Sequence, residues 1–459
     1  MSTSFTATTP SLTGRWDRYP EYSLSGIRGV ERIPAHWDVK RLKRVAVIRP
    51  SNVDKKTVEG QEVVRLCNYV DVYKNDYITD ELDFMQATAT RSQIEGFQLK
   101  AGDVLITKDS ESWDDIAVPA FVPKHLDSVL CGYHLALIRP DPTLADGEFL
   151  FRCFAAEGIC DQFRIAANGI TRFGLETSSL NDAVIPLPPL EEQIKIAILL
   201  RRETCKIDTL ICSKQRLIEL LHEKRTALIS HAVTKGLDRG VPMKDSHTIF
   251  LLQVPAHWKV GELRREWNVI DCKHRTATYV VENGIPIVST TEVKPGRLDL
   301  VSTRLTTPGE FRDLTEGGRL PKRGDIIYSR NASLGSAAYV DTDKPFCMGQ
   351  DVCMITSQDN NQLFLTYQLG SSSVLGQLNS LMVGATFQRI NIRQIQKFLV
   401  TCPPRDEQDR IASYLDTQTG RIDRLIAKVR IGIETLQEYR TALISAAVTG
   451  KIDVRGKVD

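Results

Sequence analysis

The sequence has no uninterrupted run of about 18 apolar residues, so no helix is expected to cross a membrane. It opens on a polar, Ser/Thr-rich stretch, MSTSFTATTPSLTG, which lacks the apolar core of a signal peptide. A cytoplasmic location follows as the expectation. The ten cysteines include no Cys-x-x-Cys pair. Cys131/His134 and Cys272/His274 are the nearest Cys–His neighbours, and neither recurs with zinc-ligand spacing, so no metal site is expected and the thiols read as free and reduced. Charge of one sign is also missing: 59 basic residues face 57 acidic ones, for a net +2. That balance does not advertise nucleic-acid binding, nor does it exclude it, because affinity follows a local basic face. Catalytic signatures are absent as well. There is no GxxxxGK(S/T) loop, no HExxH and no GxSxG. The Pro-Pro sites, LPPL and CPPR, lack the Asn/Asp-Pro-Pro-Tyr/Phe pattern of amino-methyltransferases, and no acidic-x-Lys follows Pro140–Asp141. No catalytic residue is expected.

What is there is a repeat. EKRTALISHAVTKGLD from Glu223 and EYRTALISAAVTGKID from Glu438 agree at 11 of 16 positions. The same offset of 215 residues aligns Pro188–Asp238 with the segment from Pro403, at 26 identities in 51 positions. A weaker echo lies earlier in each half: IPAHWDVKRLKR from Ile33 matches VPAHWKVGELRR from Val254, and AGDVLITK from Ala101 matches RGDIIYSR from Arg323. One unit is written twice, with similar ends and divergent interiors. Such a distribution fits ends that share a job and interiors that do two different ones.

The repeated ends read as long helices. Two prolines stop what precedes them, and Glu191, Glu192, Asp406 and Glu407 occupy the first turns, where the helix dipole favours acids. Apolar residues then recur in steps of four and three, a heptad seam. The expected core is Ile196, Leu200, Ile207, Leu210, Leu221 and Leu228 in the first helix. In the second it is Ile411, Leu415, Ile422, Leu425, Leu436 and Leu443. Glu203, Lys214 and Gly432 interrupt the seam, a kink is expected near Thr204–Lys206 and Thr419–Arg421, and Gly236 and Gly450 supply the stops. The interiors carry short β-branched runs, such as VVRLCNYVDVY from Val63 and IPIVSTTEV from Ile285, separated by Gly, Pro, Asn and Asp. The fold class is therefore α+β: two globular α/β domains separated by a pair of long antiparallel helices, with a pseudo-two-fold internal repeat. If the seams pack on one another, the second helix returns towards the first domain, the chain termini meet, and one chain imitates an isologous dimer.

The motifs P-x-H-W-x-V-x-x-L (Pro34–Leu42 and Pro255–Leu263), P-L-P-P-L-x-E-Q (Pro186–Gln193) and R-x-A-L-I-x-x-A-V-T at the helix ends together resemble the specificity subunit of type I restriction–modification systems. The resemblance covers essentially the whole chain. After a disordered tail over 1–19, read from its polar composition, it implies a target recognition domain over 20–186, a spacer helix over 187–238, a second recognition domain over 239–401 and a second spacer helix over 402–453, with a short tail over 454–459. Each domain would read half of a bipartite sequence in double-stranded DNA. The helices would form a coiled-coil spacer that sets the distance between half-sites and docks two methyltransferase subunits, with restriction subunits completing the antiviral complex. S-adenosylmethionine, ATP and Mg would reside in those partners, and this chain would need no cofactor. The competing readings are a two-headed scaffold that binds no DNA and a specificity subunit without active partners.

Residue types then suggest contacts. Lys43, Arg44 and Arg265 follow the opening motifs, where they suit phosphate contacts or simply a solvated face. Trp37 and Trp258 read as anchors of an opening helix. A polar, Gly-containing loop late in each domain carries Thr171 and Arg172, and Thr386, Gln388 and Arg389; Lys108 and Arg330 follow matched strands. Arg and Gln are the side chains that read base edges bidentately.

Overall fold

The computed structural model describes residues 16–331, 333, 335–382 and 389–457. These form two compact units. One holds the described residues up to Lys214 and those from Arg430 onward; the other is Gln215–Val429. The division cuts through both long helices, Leu190–Lys235 and Arg405–Val448. Each unit is thus an interior domain, the start of one long helix and the end of the other.

In both units the first helical N–H groups close on a proline. Glu192 and Gln193 donate to the Pro189 carbonyl at 2.9 and 3.0 Å, and Glu407 and Gln408 to that of Pro404 at 3.0 Å. The helices run unbroken through the expected kink positions. Within the first unit the segments are antiparallel: Arg440 Nε donates to Asp208 at 3.0 Å, and Gly432 lies beside Lys214. In the second, Arg225 meets Asp423 at 3.2 Å; Asp208 and Asp423, like Arg440 and Arg225, stand 215 residues apart.

Most of the expected seam is core. Ile196, Leu200, Ile207, Leu221, Ile411, Leu415, Ile422 and Leu443 are buried, and Leu228 and Leu436 are half-buried. Leu210 and Leu425 are not core: they are 51% and 43% exposed. Their neighbours Ile211 and Ile426 face inward instead. The seam steps by four from Ile207 and Ile422, not by three. Buried Glu203, Thr204 and Thr419 occupy the preceding turn and hide the register from an apolar count.

The interior domains share one plan. In the first, the strands Ala46–Pro50, Leu135–Pro140, Val104–Thr107 and Pro119–Phe121 form an antiparallel sheet in that order. In the second, Asn268–Asp271, Val352–Thr356, Ile326–Ser329 and Ala337–Tyr339 repeat it. The central strands VLIT and IIYS are buried throughout, as expected of strands covered on both faces. A second sheet in each domain contains one parallel pairing, Val129–Cys131 on Arg65–Cys67 and Cys347–Met348 on Ile287–Val288. The opening motif forms a strand and a single 3-10 turn in place of the expected helix; Asp38–Arg41 pairs with Val184–Leu187, and Lys259–Glu262 with Leu399–Cys402.

Both chain ends described here lie in the first unit. Asp17 bridges Asp453, and Arg455 sits 4.9 Å over the Tyr19 ring. Tyr19 and Val454 are buried. Residues 16–19 and 454–457, read from sequence as tails, are therefore structured; burial of Tyr19 and Val454 is what holds them.

Candidate nucleic-acid interface

Each unit is locked by the same joint. In the first, Glu192 is buried and accepts from Trp37 Nε1 at 3.2 Å, from His36 Nε2 at 2.9 Å, and from the Tyr19 hydroxyl. In the second, Glu407 accepts from Trp258 Nε1 at 3.0 Å and His257 Nε2 at 2.9 Å. The adjacent glutamines are fully buried. Gln193 donates to the carbonyls of Leu144 and Pro188 and accepts from the Asp146 amide. Gln408 donates to the Pro403 carbonyl and Asn360, and accepts from the Asn361 amide. The helix ends close the joint. Gly236 and Gly450 have φ of +75° and +70°. A Cβ on Gly236 would stand 3.2 Å from the Trp258 ring, and one on Gly450 would stand 2.2 Å from Pro34. Left-handed backbone and this closeness both require glycine. Trp37 and Trp258 are thus anchors, as expected. Sequence reasoning assigned the glutamates only to the helix dipole and left the histidines and glutamines without a role. Their signal was the recurrence of His-Trp and Glu-Gln in both copies.

The divergent residues lie on a common backbone. The Lys108 amide donates to the His134 carbonyl and the Arg330 amide to that of Asp351, at 3.0 and 2.9 Å. The Leu175 amide donates to Lys108 and the Ile390 amide to Arg330, at 2.9 and 3.0 Å. Lys108 therefore matches Arg330, and His134 matches Asp351. The side chains at these positions differ. Lys108 is tucked against Asp109 at 3.1 Å and over the Tyr133 ring at 4.8 Å. Arg330 is buried, with its guanidinium on Asp271 and the Ile390 carbonyl. The side chain expected to contact DNA after a matched strand is thus braced in the domain interior.

In the first unit His134 links Asp109, 2.8 Å from its Nδ1, to Arg172, whose Nη2 lies 3.3 Å from the ring nitrogens. These residues border an open cleft of about 620 Å³ with Tyr69 and Tyr73, whose rings stack at 5.5 Å. Thr171 and Arg172 are exposed. In the second unit Arg389 Nη2 lies 2.8 Å from Asp351 Oδ1. Thr386 and Gln388 lie outside the described residues. Arg44 and Arg265 are exposed at the ends of matched 3-10 turns. Lys43 holds Asp182 at 2.7 Å, which keeps that carboxyl below the usual range. One group among the described residues gathers ligand-type atoms: Asp271, Cys272 and His274. Asp271 already serves Arg330 and His274, and burial pushes the Cys272 thiol up, which disfavours the thiolate a metal requires.

These features coincide with known proteins. The family of type I restriction modification DNA specificity domains matches residues 34–219 and 281–435. The putative type I restriction enzyme MjaX specificity subunit of Methanocaldococcus jannaschii is 25% identical over 446 residues, spanning 93% of this chain and 96% of its own. The MjaVIII specificity subunit of the same organism is 23% identical over 95% of this chain and 97% of its own. Among solved structures, a chain from a study of complex assembly and conformational transition of the type I R-M system superposes with a TM-score of 0.71, at 18% identity, over 92% of this chain and 99% of that one. The HsdS subunit of Thermoanaerobacter tengcongensis gives 0.53, at 18% identity, over 92% and 98%. With a matched specificity domain in each half, the chain belongs to the type I restriction–modification specificity subunits and carries two target recognition domains.

Proposed function

We propose that each recognition domain of this chain reads one half of a bipartite target in double-stranded DNA, and that the paired helices set the spacing between the halves. The helices also dock two methyltransferase subunits, and restriction subunits join them in the complete cytoplasmic complex. S-adenosylmethionine belongs to the methyltransferase subunits, and ATP and Mg to the restriction subunit; this chain contributes recognition and no catalytic group. The observation that supports this reading is the contrast between conserved scaffold and exchanged side chains. Matched backbone hydrogen bonds present His134 beside Arg172 in one unit and Asp351 beside Arg389 in the other. Two similar frames with different polar faces suit two similar but non-identical half-sites. Thr171, Arg172 and Arg389 are assigned to base edges, together with Thr386 and Gln388. Lys43, Arg44 and Arg265 are assigned to phosphates. Methylome sequencing of a host with and without the gene tests the proposal: a bipartite methylated motif should vanish with the gene. If every methylated motif persists without it, active modification through this chain is ruled out.

A further inference from the structure

We propose that His134 and Asp351 are the positioning residues that set base preference, by holding Arg172 and Arg389 so that each guanidinium meets the O6/N7 edge of a guanine. The inference rests on the reading above, in which each unit faces half of a DNA target.

The two positions are equivalent by hydrogen bonding but not by sequence offset. Each follows a turn of the form Gly-x, and each returns its carbonyl to the residue after the central strand. Gly132 and Gly349 also donate to matched carbonyls, those of Cys67 and Val288, at 2.9 and 2.7 Å. The arginines, by contrast, arrive from different places. Arg172 lies three residues before Leu175, whereas Arg389 immediately precedes Ile390, the match of Leu175. Two different routes thus bring a guanidinium to the same scaffold position. Common descent of the loop alone would have aligned the arginines as well.

The partners leave the guanidinium with donors to offer. A guanidinium has five N–H donors and no acceptor. Asp351 takes up one Nη of Arg389, and both side chains remain partly exposed, at 25% and 49%. His134 is itself fixed, with Nδ1 on Asp109, and Lys108 holds the same carboxylate at 3.1 Å. Arg172 Nη2 stands 3.3 Å from both nitrogens of that fixed ring, so the guanidinium rests against the imidazole. An anchored fork loses little rotamer freedom on binding, so it discriminates better than a free one. In the major groove, guanine is the base that offers two adjacent acceptors to such a fork.

The test uses the chain assembled with its methyltransferase subunits. Binding is measured to the methylated motif found in the host and to duplexes that change each base pair singly. Arg389→Ala should weaken binding to the native duplex by about 5- to 150-fold and abolish discrimination at one G·C pair of one half-site. Asp351→Asn should reduce discrimination at that same pair, and Asp351→Glu should restore most of it. Arg172→Ala and His134→Ala should act on one G·C pair of the other half-site. Within each experiment the undisturbed half-site, still discriminated as in the native complex, reports that the chain is folded. The inference is overturned if Asp351→Asn weakens all duplexes equally, leaves every preference intact, or acts at a pair other than the one Arg389 governs. It also falls if that pair is A·T. A native complex that binds all duplexes alike overturns the DNA-reading proposal itself and takes this inference with it.

Discussion

The two units solve one packing problem in opposite ways. Each must fill the space between its sheet and its two helix segments. The first unit uses charge. Buried Arg152 donates to the Tyr77 hydroxyl at 2.8 Å and lies 4.7 Å over the Phe151 ring, while Glu148 accepts from Tyr77 and from Arg201. Burial depresses the Arg152 pKa and raises that of Tyr77 to about 12. The second unit has Tyr367 where the first has Arg152, bonded to Thr419 at 3.3 Å. There Tyr367, Thr366, Gly296 and Arg225 line cavities of about 310 and 440 Å³. The helix ends fix the outline of the space in both units; its contents were free to diverge. Common constraint lies at the joints, and divergence lies in what the joints enclose.

The largest effect should come where the units agree. Trp37→Ala and Trp258→Ala should each cost about 3–5 kcal/mol, because both remove a large buried side chain and deprive a helix-start glutamate of a donor. Urea unfolding checks this, and clearly unequal losses would break the equivalence of the joints. The next effect should separate the units. Arg330→Ala should cost about 3 kcal/mol, because it strips a buried cation from Asp271. Lys108→Ala at the matched position should cost about 1 kcal/mol or less. Equal costs would mean that the two domains hide their cations alike. Arg152→Met sharpens the opening contrast. Arg152 Nε and Nη1 find no hydrogen-bond partner among the described residues, and Glu148 keeps Arg201. The substitution should therefore be neutral or stabilising by up to about 2 kcal/mol; a loss of that size would show the charged network to be structurally required. Leu210→Ala and Leu425→Ala should stay within about 0.5 kcal/mol, whereas Ile426→Ala should cost about 2–4 kcal/mol. The smallest effect is chemical. Alkylation near pH 8 should label exposed Cys205 and Cys212, while fully buried Cys131 and Cys353, whose thiols are pushed up by burial, resist it.

Much of this was legible in the sequence because helix starts and stops are local signals. Pro-Pro and the terminal glycines lie next to the ends of both long helices, Leu190–Lys235 and Arg405–Val448, although the spans expected over 187–238 and 402–453 overrun those ends by three to five residues. The seam misled at one turn. Leu210–Ile211 and Leu425–Ile426 are adjacent apolar pairs, and only burial of the neighbouring Glu203, Thr204 and Thr419 decides which member turns inward. The joints were written in the repeat but not decipherable from it, since Trp37 and Glu192 meet across 155 residues. The match of His134 with Asp351 was further obscured by offset. It stands at 217 residues, that of Lys108 with Arg330 at 222, and that of the helices at 215. Insertions that leave a hydrogen-bonded frame intact erase the alignment a reader of sequence depends on.

The bridge between Asp17 and Asp453, reinforced by Lys457 at 3.3 Å from Asp17, has a topological consequence. The order in which the two recognition domains are translated is not dictated by the fold. A gene that joins the codon for Lys457 to that for Trp16 through a short flexible linker, and begins instead at Arg239 in the exposed stretch after the first long helix, should yield the same domains in reversed order. Within the first unit, the pairing of residues so far apart in sequence makes the break between them a position of the chain and not a boundary of the fold.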